Sequence, residues 1–119
     1  MKTLSEIQKD RNLINAIDWD MTPEEAVRLY LEWGNNWARG NYVVRSKNDV
    51  AHYFVVNTWK EKPVVYLVRR TSEDAQELAC IEMPEKIISD FRRQNGKLKG
   101  VFAADGKVKC WLKDQLGAA

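Results

Sequence analysis

The sequence predicts an α+β fold, in which a three- to four-stranded antiparallel meander is packed by about four helices. Two runs of β-branched and aromatic residues, 50–59 and 64–70, flank a short polar loop, and a third apolar run follows at 77–83. Helical periodicity precedes these strands and returns after them. Strands grouped in this way between helices are typical of a sheet with its helices on one face.

Residues 22–39 are predicted to form the central helix. Thr22 and Glu25 have the spacing of a capping box, in which each side chain bonds the backbone amide of the other residue. The apolar residues of this segment cover roughly 200° of the helix surface, so we expect the helix to be covered on two sides. Gly34 is the position where an early end or a kink would occur.

Three shorter helices are predicted from apolar periodicity and capping signals, and they cover residues 4–17, residues 84–95 and a last segment after Asp105. The first of them has a second capping-box spacing, from Thr3 to Glu6. The connection between the last two helices can hold a short strand at 101–103.

Length and composition predict one domain over residues 1–119, located in the cytoplasm. A chain of this length buries about two thirds of its unfolded surface, and 45% hydrophobic with 30% charged residues is typical of a soluble globular protein. No apolar run is long enough to span a bilayer. The polar N-terminal segment lacks the apolar core of a signal peptide, and the 2 cysteines are too few for a disulfide framework.

No residue pattern predicts catalysis, a cofactor or a metal. The single histidine, His52, lies inside a predicted strand, and no local signature supplies a catalytic partner for it. We interpret it as a strand histidine satisfied by a neighbour or by water. One histidine and two separated cysteines give no metal-ligand spacing, and no glycine-rich phosphate loop follows a strand.

Cys110 is the candidate reactive thiol. On the last predicted helix it points away from the apolar stripe, and Lys107, Lys109 and Lys113 lie nearby in sequence. Ammonium groups favour the thiolate, which is the reactive form of cysteine. The interpretation that we favour is a small residue tolerated at the surface. Cys80 lies in an apolar strand, where core packing is expected.

The C-terminal third carries a strong charge asymmetry, because residues 86–119 hold eight basic and three acidic groups. Four cations surround a helix end and a glycine-flanked loop, where they can track the phosphates of a nucleic acid: Arg92, Arg93, Lys97 and Lys99. Phe102 or Trp111 can then stack on bases. Cations at a helix C-terminus also interact favourably with the helix dipole without any ligand. Nucleic-acid binding is therefore an alternative rather than the favoured function.

The 5 tryptophans are the second group of candidate binding residues, here for a small molecule or an interface. Trp37 and Trp59 follow carboxamides, and aromatic walls with a few polar groups are typical of a small-molecule pocket. Tryptophans also fill the cores of small domains, which is the interpretation that we favour. The candidate ligand or interface residues are Asn35, Asn36, Trp37, Arg39, Asn57 and Trp59.

The segments TPEEAVRLYLEWGNNWARG, YFVVNTW and PVVYLVRR, with Trp111 and Leu112, resemble a family of small uncharacterised proteins from sulfate-reducing and related anaerobic bacteria. The resemblance covers most of the chain from Thr22 onward. It implies a compact cytoplasmic α+β domain with no assigned activity, and it carries over no functional residue.

The predicted function is a non-enzymatic protein-interaction or regulatory domain, because no catalytic set is visible and the aromatic content suits an interface. Its partner would be an unknown protein or a second copy of the chain. Two alternatives remain open. One is a nucleic-acid-binding module that uses the basic C-terminal third, and the other is a small-ligand binder with a tryptophan-lined pocket.

Overall fold

The computed structural model describes residues 1–22, 24–25, 50–71 and 75–118. Within these ranges it confirms the predicted α+β fold, with a four-stranded antiparallel sheet and four helices. The elements are α1 (Leu4–Gln8), α2 (Arg11–Ala16), β1 (Ala51–Asn57), β2 (Val64–Arg70), β3 (Ala75–Glu82), α3 (Glu85–Asn95), β4 (Val101–Ala103) and α4 (Gly106–Leu116).

The sheet has the strand order β3-β2-β1-β4. Strands β1, β2 and β3 form the predicted meander, and their register places Phe54 opposite Leu67 and Leu67 opposite Ala79. Strand β4 coincides with the short strand predicted at 101–103, and it pairs with the other edge of β1, where Asn57 lies opposite Val101. The chain therefore returns to the end of β1 after α3.

The helices pack on one face of the sheet. Because side chains alternate between the faces of a strand, residues such as Phe54 and Leu67 face the core, where they meet Ile7 of α1, Phe91 of α3 and Leu112 of α4. The opposite face is buried as well, through a second cluster formed by Tyr53, Val55, Val64, Tyr66 and Val68. Both faces of these strands are therefore buried.

The predicted central helix at 22–39 lies largely outside the described residues. Its described part is the start, where the amide of Glu25 donates to the Thr22 hydroxyl at 3.2 Å and residues 24 and 25 have a helical backbone. This bond is the one that the capping-box spacing predicts. The central position of the helix stays a prediction.

The single helix predicted at 4–17 is wrong, because the chain forms α1 and α2 instead. The capping box at the start of α1 is present, with the amide of Glu6 donating to Thr3 at 3.2 Å. Asp10 interrupts the helix because its side chain accepts from the amide of Leu13 at 3.0 Å and so begins α2. Aspartate favours this N-cap role over a position inside a helix.

Smaller differences concern the ends of elements. Strand β1 ends at Asn57 rather than at residue 59, because the Asn57 side chain accepts from the amide of Trp59 at 2.9 Å and turns the chain. Strand β3 begins at Ala75, opposite Arg70, two residues earlier than predicted. Asp105 occupies the N-cap position of α4, but its side chain makes no capping hydrogen bond.

Candidate functional site

A cleft of about 320 Å³ lies between the β1–β2 loop and the segment that follows α3. Four of its lining residues are cations and one is an acid, so we call it the basic cleft. It is lined by the loop, by the end of α3 and by the following segment, through Thr58, Lys60, Glu61, Pro63, Phe91, Arg92, Gly96, Lys97, Leu98 and Lys99.

Thr58 joins the two walls of this cleft. Its amide donates to the Gly100 carbonyl at 2.9 Å, which continues the pairing of β1 with β4 by one residue. Its hydroxyl accepts from the Gly100 amide at 2.8 Å and donates to the Leu98 carbonyl at 2.9 Å. A hydroxyl has one proton to donate and two lone pairs that accept, so the Thr58 side chain can make both bonds at the same time. The loop and the segment after α3 are thereby fixed to each other.

Trp59 lies beside the cleft with its side chain in water. It does not line the cleft, but Thr58 and Lys60 on either side of it do. Its amide is held by the Asn57 side chain at 2.9 Å, and the residue is 63% exposed. The turn at Asn57 therefore presents an aromatic ring to solvent between two residues that line the cleft.

Arg92, Lys97 and Lys99 reach the cleft as a group. Arg92 donates to the Glu61 carbonyl at 3.3 Å, which holds it against the β1–β2 loop. Lys97 and Lys99 are exposed, and neither forms an ion pair with another residue in the described ranges. Their ammonium groups are therefore available to an anionic ligand.

Arg93 is separate from the other three predicted cations. Its guanidinium lies 3.2 Å from the carboxylate of Asp90, and Lys107 of α4 approaches the same carboxylate at 3.5 Å. Of the four cations predicted to contact nucleic acid, Arg92, Lys97 and Lys99 line the cleft and Arg93 does not, and the contact itself stays a prediction.

Lys60 adds a cation that the sequence analysis did not single out. Its ammonium nitrogen lies 5.8 Å from the centre of the Tyr66 ring, a cation–π distance. A hydrogen bond to the Tyr66 side chain, reinforced by the electrostatic interaction with that side chain, raises the pKa of Lys60 above its usual value. The ammonium group of Lys60 therefore lies at Tyr66, a residue of the second sheet face. The sequence does contain a signal for this cation, because residues 60–62 place two lysines in the loop of the predicted hairpin.

The aromatic residues that were predicted to stack on bases are already packed. Phe102 makes an edge-to-face contact with Phe91, with ring centroids 5.5 Å apart. Trp111 is half-buried against the helical side of the core. Trp59 is the aromatic residue that remains exposed in the described part of the chain.

Of the candidate ligand or interface residues, Asn57 and Trp59 lie together beside the cleft. The others, Asn35, Asn36, Trp37 and Arg39, lie outside the described residues.

The two thiols lie on different sides of the molecule. Cys110 is exposed on α4, as expected, and Cys80 is half-buried at the second sheet face rather than in the core beneath the helices. Both are free cysteines, and the reactivity of Cys110 stays a prediction.

His52 lies in β1, opposite Arg69 of β2, and its carbonyl accepts from the amide of Asp18 at 2.8 Å. Burial, followed by repulsion from Arg69, lowers the pKa of its imidazole. Across the residues that the structure describes, no three acidic, histidine or cysteine side chains cluster as a metal ion would require.

Three other concave regions formed by described residues are smaller or carry mixed charge. One of about 140 Å³ lies between Phe91, Phe102 and the start of α4, and one of about 60 Å³ lies beside Trp19 and Phe54. A shallow depression of about 570 Å³ along α1 and α2 has cations and carboxylates in similar number. Ligand pockets commonly measure about 300–1,000 Å³. The basic cleft lies within this range, and its charged lining residues are mostly cations.

No protein-family model, curated protein or solved structure matches this chain. The resemblance to proteins of anaerobic bacteria therefore stays a prediction, as does the cytoplasmic location. Among the described helices, none has the length and apolar character needed to cross a membrane.

Proposed function

We propose that this chain is a non-catalytic nucleic-acid-binding module and that the basic cleft is its binding surface. One observation carries the proposal: Arg92, Lys97 and Lys99 line one cleft with Lys60, and Trp59, which is next to Lys60 in the sequence, exposes its ring to solvent. Cations that can follow a phosphate backbone, next to an aromatic platform, are the two parts that nucleic-acid-binding surfaces combine.

The charges around the cleft favour an anionic polymer over a neutral ligand. Glu61 is the single acid among the lining residues, and the nearby Glu85 is neutralised by Lys62 at 3.1 Å. Each neutralised phosphate releases condensed counterions, so the cations of the cleft supply a binding free energy that depends strongly on salt. With so few phosphate contacts, we expect an affinity in the range of sequence-independent binding, about 10⁻⁴–10⁻⁶ M at physiological salt.

A protein-interaction function, which the sequence predicts, is the second candidate. Trp59 and Leu98 are both largely exposed, and Arg92 lies in the same region. Tryptophan and arginine are enriched at the residues that dominate protein interfaces. The charge of the cleft then requires an acidic segment as the partner.

A charge-reversal experiment tests the proposed function. Binding of a fluorescent mixed-sequence oligonucleotide at low ionic strength is measured for the wild type, for the double variant Lys97→Glu/Lys99→Glu and for the control Lys2→Glu/Lys9→Glu. The control makes the same change in net charge on exposed lysines of the α1 region, away from the cleft.

We expect the cleft variant to bind about tenfold more weakly or worse, because two phosphate contacts become repulsive. The control should stay within about twofold of the wild type, since long-range effects of exposed charges are screened. Equal losses in the two variants would show that net charge, rather than the cleft, determines binding, and would contradict the proposal.

A further inference from the structure

We infer that the ligand of the basic cleft is a single-stranded nucleic acid, one base of which stacks on the indole of Trp59. This inference rests on the proposed function and narrows it to one class of ligand. It is supported by the exposure of Trp59, by the hydrogen bond that holds its amide, and by the cations that line the cleft with its sequence neighbours.

The exposure of Trp59 is a built feature of the β1–β2 loop. A lone exposed apolar residue needs no explanation by itself, but here the backbone that leads into Trp59 is fixed. The Asn57 side chain holds the Trp59 amide at 2.9 Å, and Thr58 is anchored to Leu98 and Gly100 by three hydrogen bonds of 2.8–2.9 Å. A ring on a fixed backbone loses little conformational freedom when a ligand covers it.

Trp59 and the cations belong to the two chain segments that Thr58 joins. Trp59 is flanked in sequence by two lining residues of the cleft, and Lys60 follows it directly. On the other wall, Lys97 and Lys99 belong to the segment that Thr58 holds in place. We expect a strand whose phosphates contact Lys97 and Lys99 to place a neighbouring base on the indole.

An exposed indole distinguishes single strands from duplexes. In a duplex the faces of the bases are covered by stacking, and a protein reaches their edges in the grooves. In a single strand the faces are free, and stacking on an aromatic residue strengthens binding by roughly 5- to 150-fold per base, with little preference for sequence. The cations can contact the phosphates of both forms, whereas the indole of Trp59 can stack on the free base faces of a single strand.

Leu98 is consistent with the same ligand. It lines the cleft and is 72% exposed, so it offers apolar surface to the edge of a base or to a sugar. A cleft made for duplex phosphates alone has no use for this surface, because contacts to phosphates need charge or hydrogen-bond donors.

The test compares a single strand of about 12 nucleotides, a length within the usual site sizes, with the duplex of the same sequence. Wild type, Trp59→Ala and Trp59→Phe are measured at one ionic strength, after circular dichroism has shown that the variants are folded. A polyglutamate peptide of similar charge is the competing ligand. Tryptophan emission of the wild type is recorded during each titration.

We expect the wild type to bind the single strand at least about fivefold more tightly than the duplex, with quenching of its tryptophan emission. Trp59→Ala should lose that difference while its affinity for the duplex stays the same. Trp59→Phe should recover most of it, because a phenyl ring also stacks.

Equal affinity for both forms, unaffected by Trp59→Ala but weakened by Lys97→Glu/Lys99→Glu, would overturn this inference and leave the proposed function intact. Absence of binding to either nucleic acid at low salt would overturn both. Binding of polyglutamate as tight as that of the single strand, and dependent on Trp59, would replace the nucleic acid with an acidic protein.

Discussion

Thr58 and Gly100 hold the two walls of the basic cleft together, through bonds of 2.8 Å from the Gly100 amide to the Thr58 hydroxyl and 2.9 Å from the Thr58 amide to the Gly100 carbonyl. The two residues are 42 positions apart in the chain. This contact brings the basic residues after α3 to the loop that carries Lys60 and Trp59.

Thr58→Val is expected to lower the free energy of unfolding by about 1–2 kcal/mol, because it leaves the Gly100 amide and the Leu98 carbonyl without the hydroxyl. It should also weaken oligonucleotide binding, since the walls of the cleft are no longer held together. Thr58→Ser keeps the hydroxyl and is the matched control. Urea unfolding and fluorescence anisotropy measure the two effects, and a Thr58→Val protein as stable as Thr58→Ser would refute the bridging role.

Leu112→Ala is expected to lower the free energy of unfolding by about 2–5 kcal/mol, because Leu112 is fully buried between α4 and the sheet and its removal leaves a cavity. Leu98→Ala is the matched control. Its side chain is largely exposed, so its effect should stay within about 0.5 kcal/mol. Denaturant unfolding of both variants provides the comparison, and losses of similar size would contradict the packing of α4.

Asp10→Ala is expected to cost about 1 kcal/mol, because the Asp10 side chain caps α2 through the Leu13 amide. Asp105→Ala should cost less, since Asp105 occupies the same position before α4 without making that bond and contributes through the helix dipole alone. Thermal unfolding of the two variants ranks them. The reverse order would show that α4, and not α2, depends on its cap.

Acidification is expected to destabilise the protein partly through His52. Burial and then Arg69 lower the pKa of His52 in the folded chain from its usual 6.5, so below about pH 6.5 the unfolded chain binds a proton that the folded chain does not. Stability from this source is therefore present at higher pH and is lost as the pH falls through that window.

His52→Gln should remove this dependence. The difference between the two proteins is measured as the slope of unfolding free energy against pH between about 6.5 and 5. It stays below about 1.4 kcal/mol per pH unit, the limit for one proton, because water around the half-exposed imidazole screens the effect. Parallel slopes in the two proteins would be inconsistent with a lowered pKa.

Much of the fold was predictable from local patterns. The strand at 64–70 was bounded correctly because a β-branched run follows Pro63 and ends at a polar turn, and the short strand at 101–103 was also found. The helix at 4–17 was divided wrongly, because apolar periodicity continues across Asp10 while its side chain begins a new helix. Competition between periodicity and capping is decided by single hydrogen bonds, which a pattern does not reveal.

The candidate site was predictable only in parts. Arg92, Lys97 and Lys99 were identified from charge, and Asn57 with Trp59 from composition, as two separate sites. The two sets of residues lie together because Asn57 pairs with Val101 and because Thr58 bonds to the segment after α3, and both are long-range contacts. No local signal relates these positions. Arg93 was assigned to the same group because it adjoins Arg92, yet on a helix adjacent residues point in different directions.

The salt dependence of oligonucleotide binding tests the central claim most directly. With three or four cations on phosphates of a single strand, a plot of log K against log salt concentration should have a slope of about −2 to −3. Neutralising two of them in Lys97→Gln/Lys99→Gln should reduce its magnitude by about 1.4. A slope that is the same in both proteins, or no binding by the wild type at low salt, would contradict the assignment of the basic cleft as a nucleic-acid-binding surface.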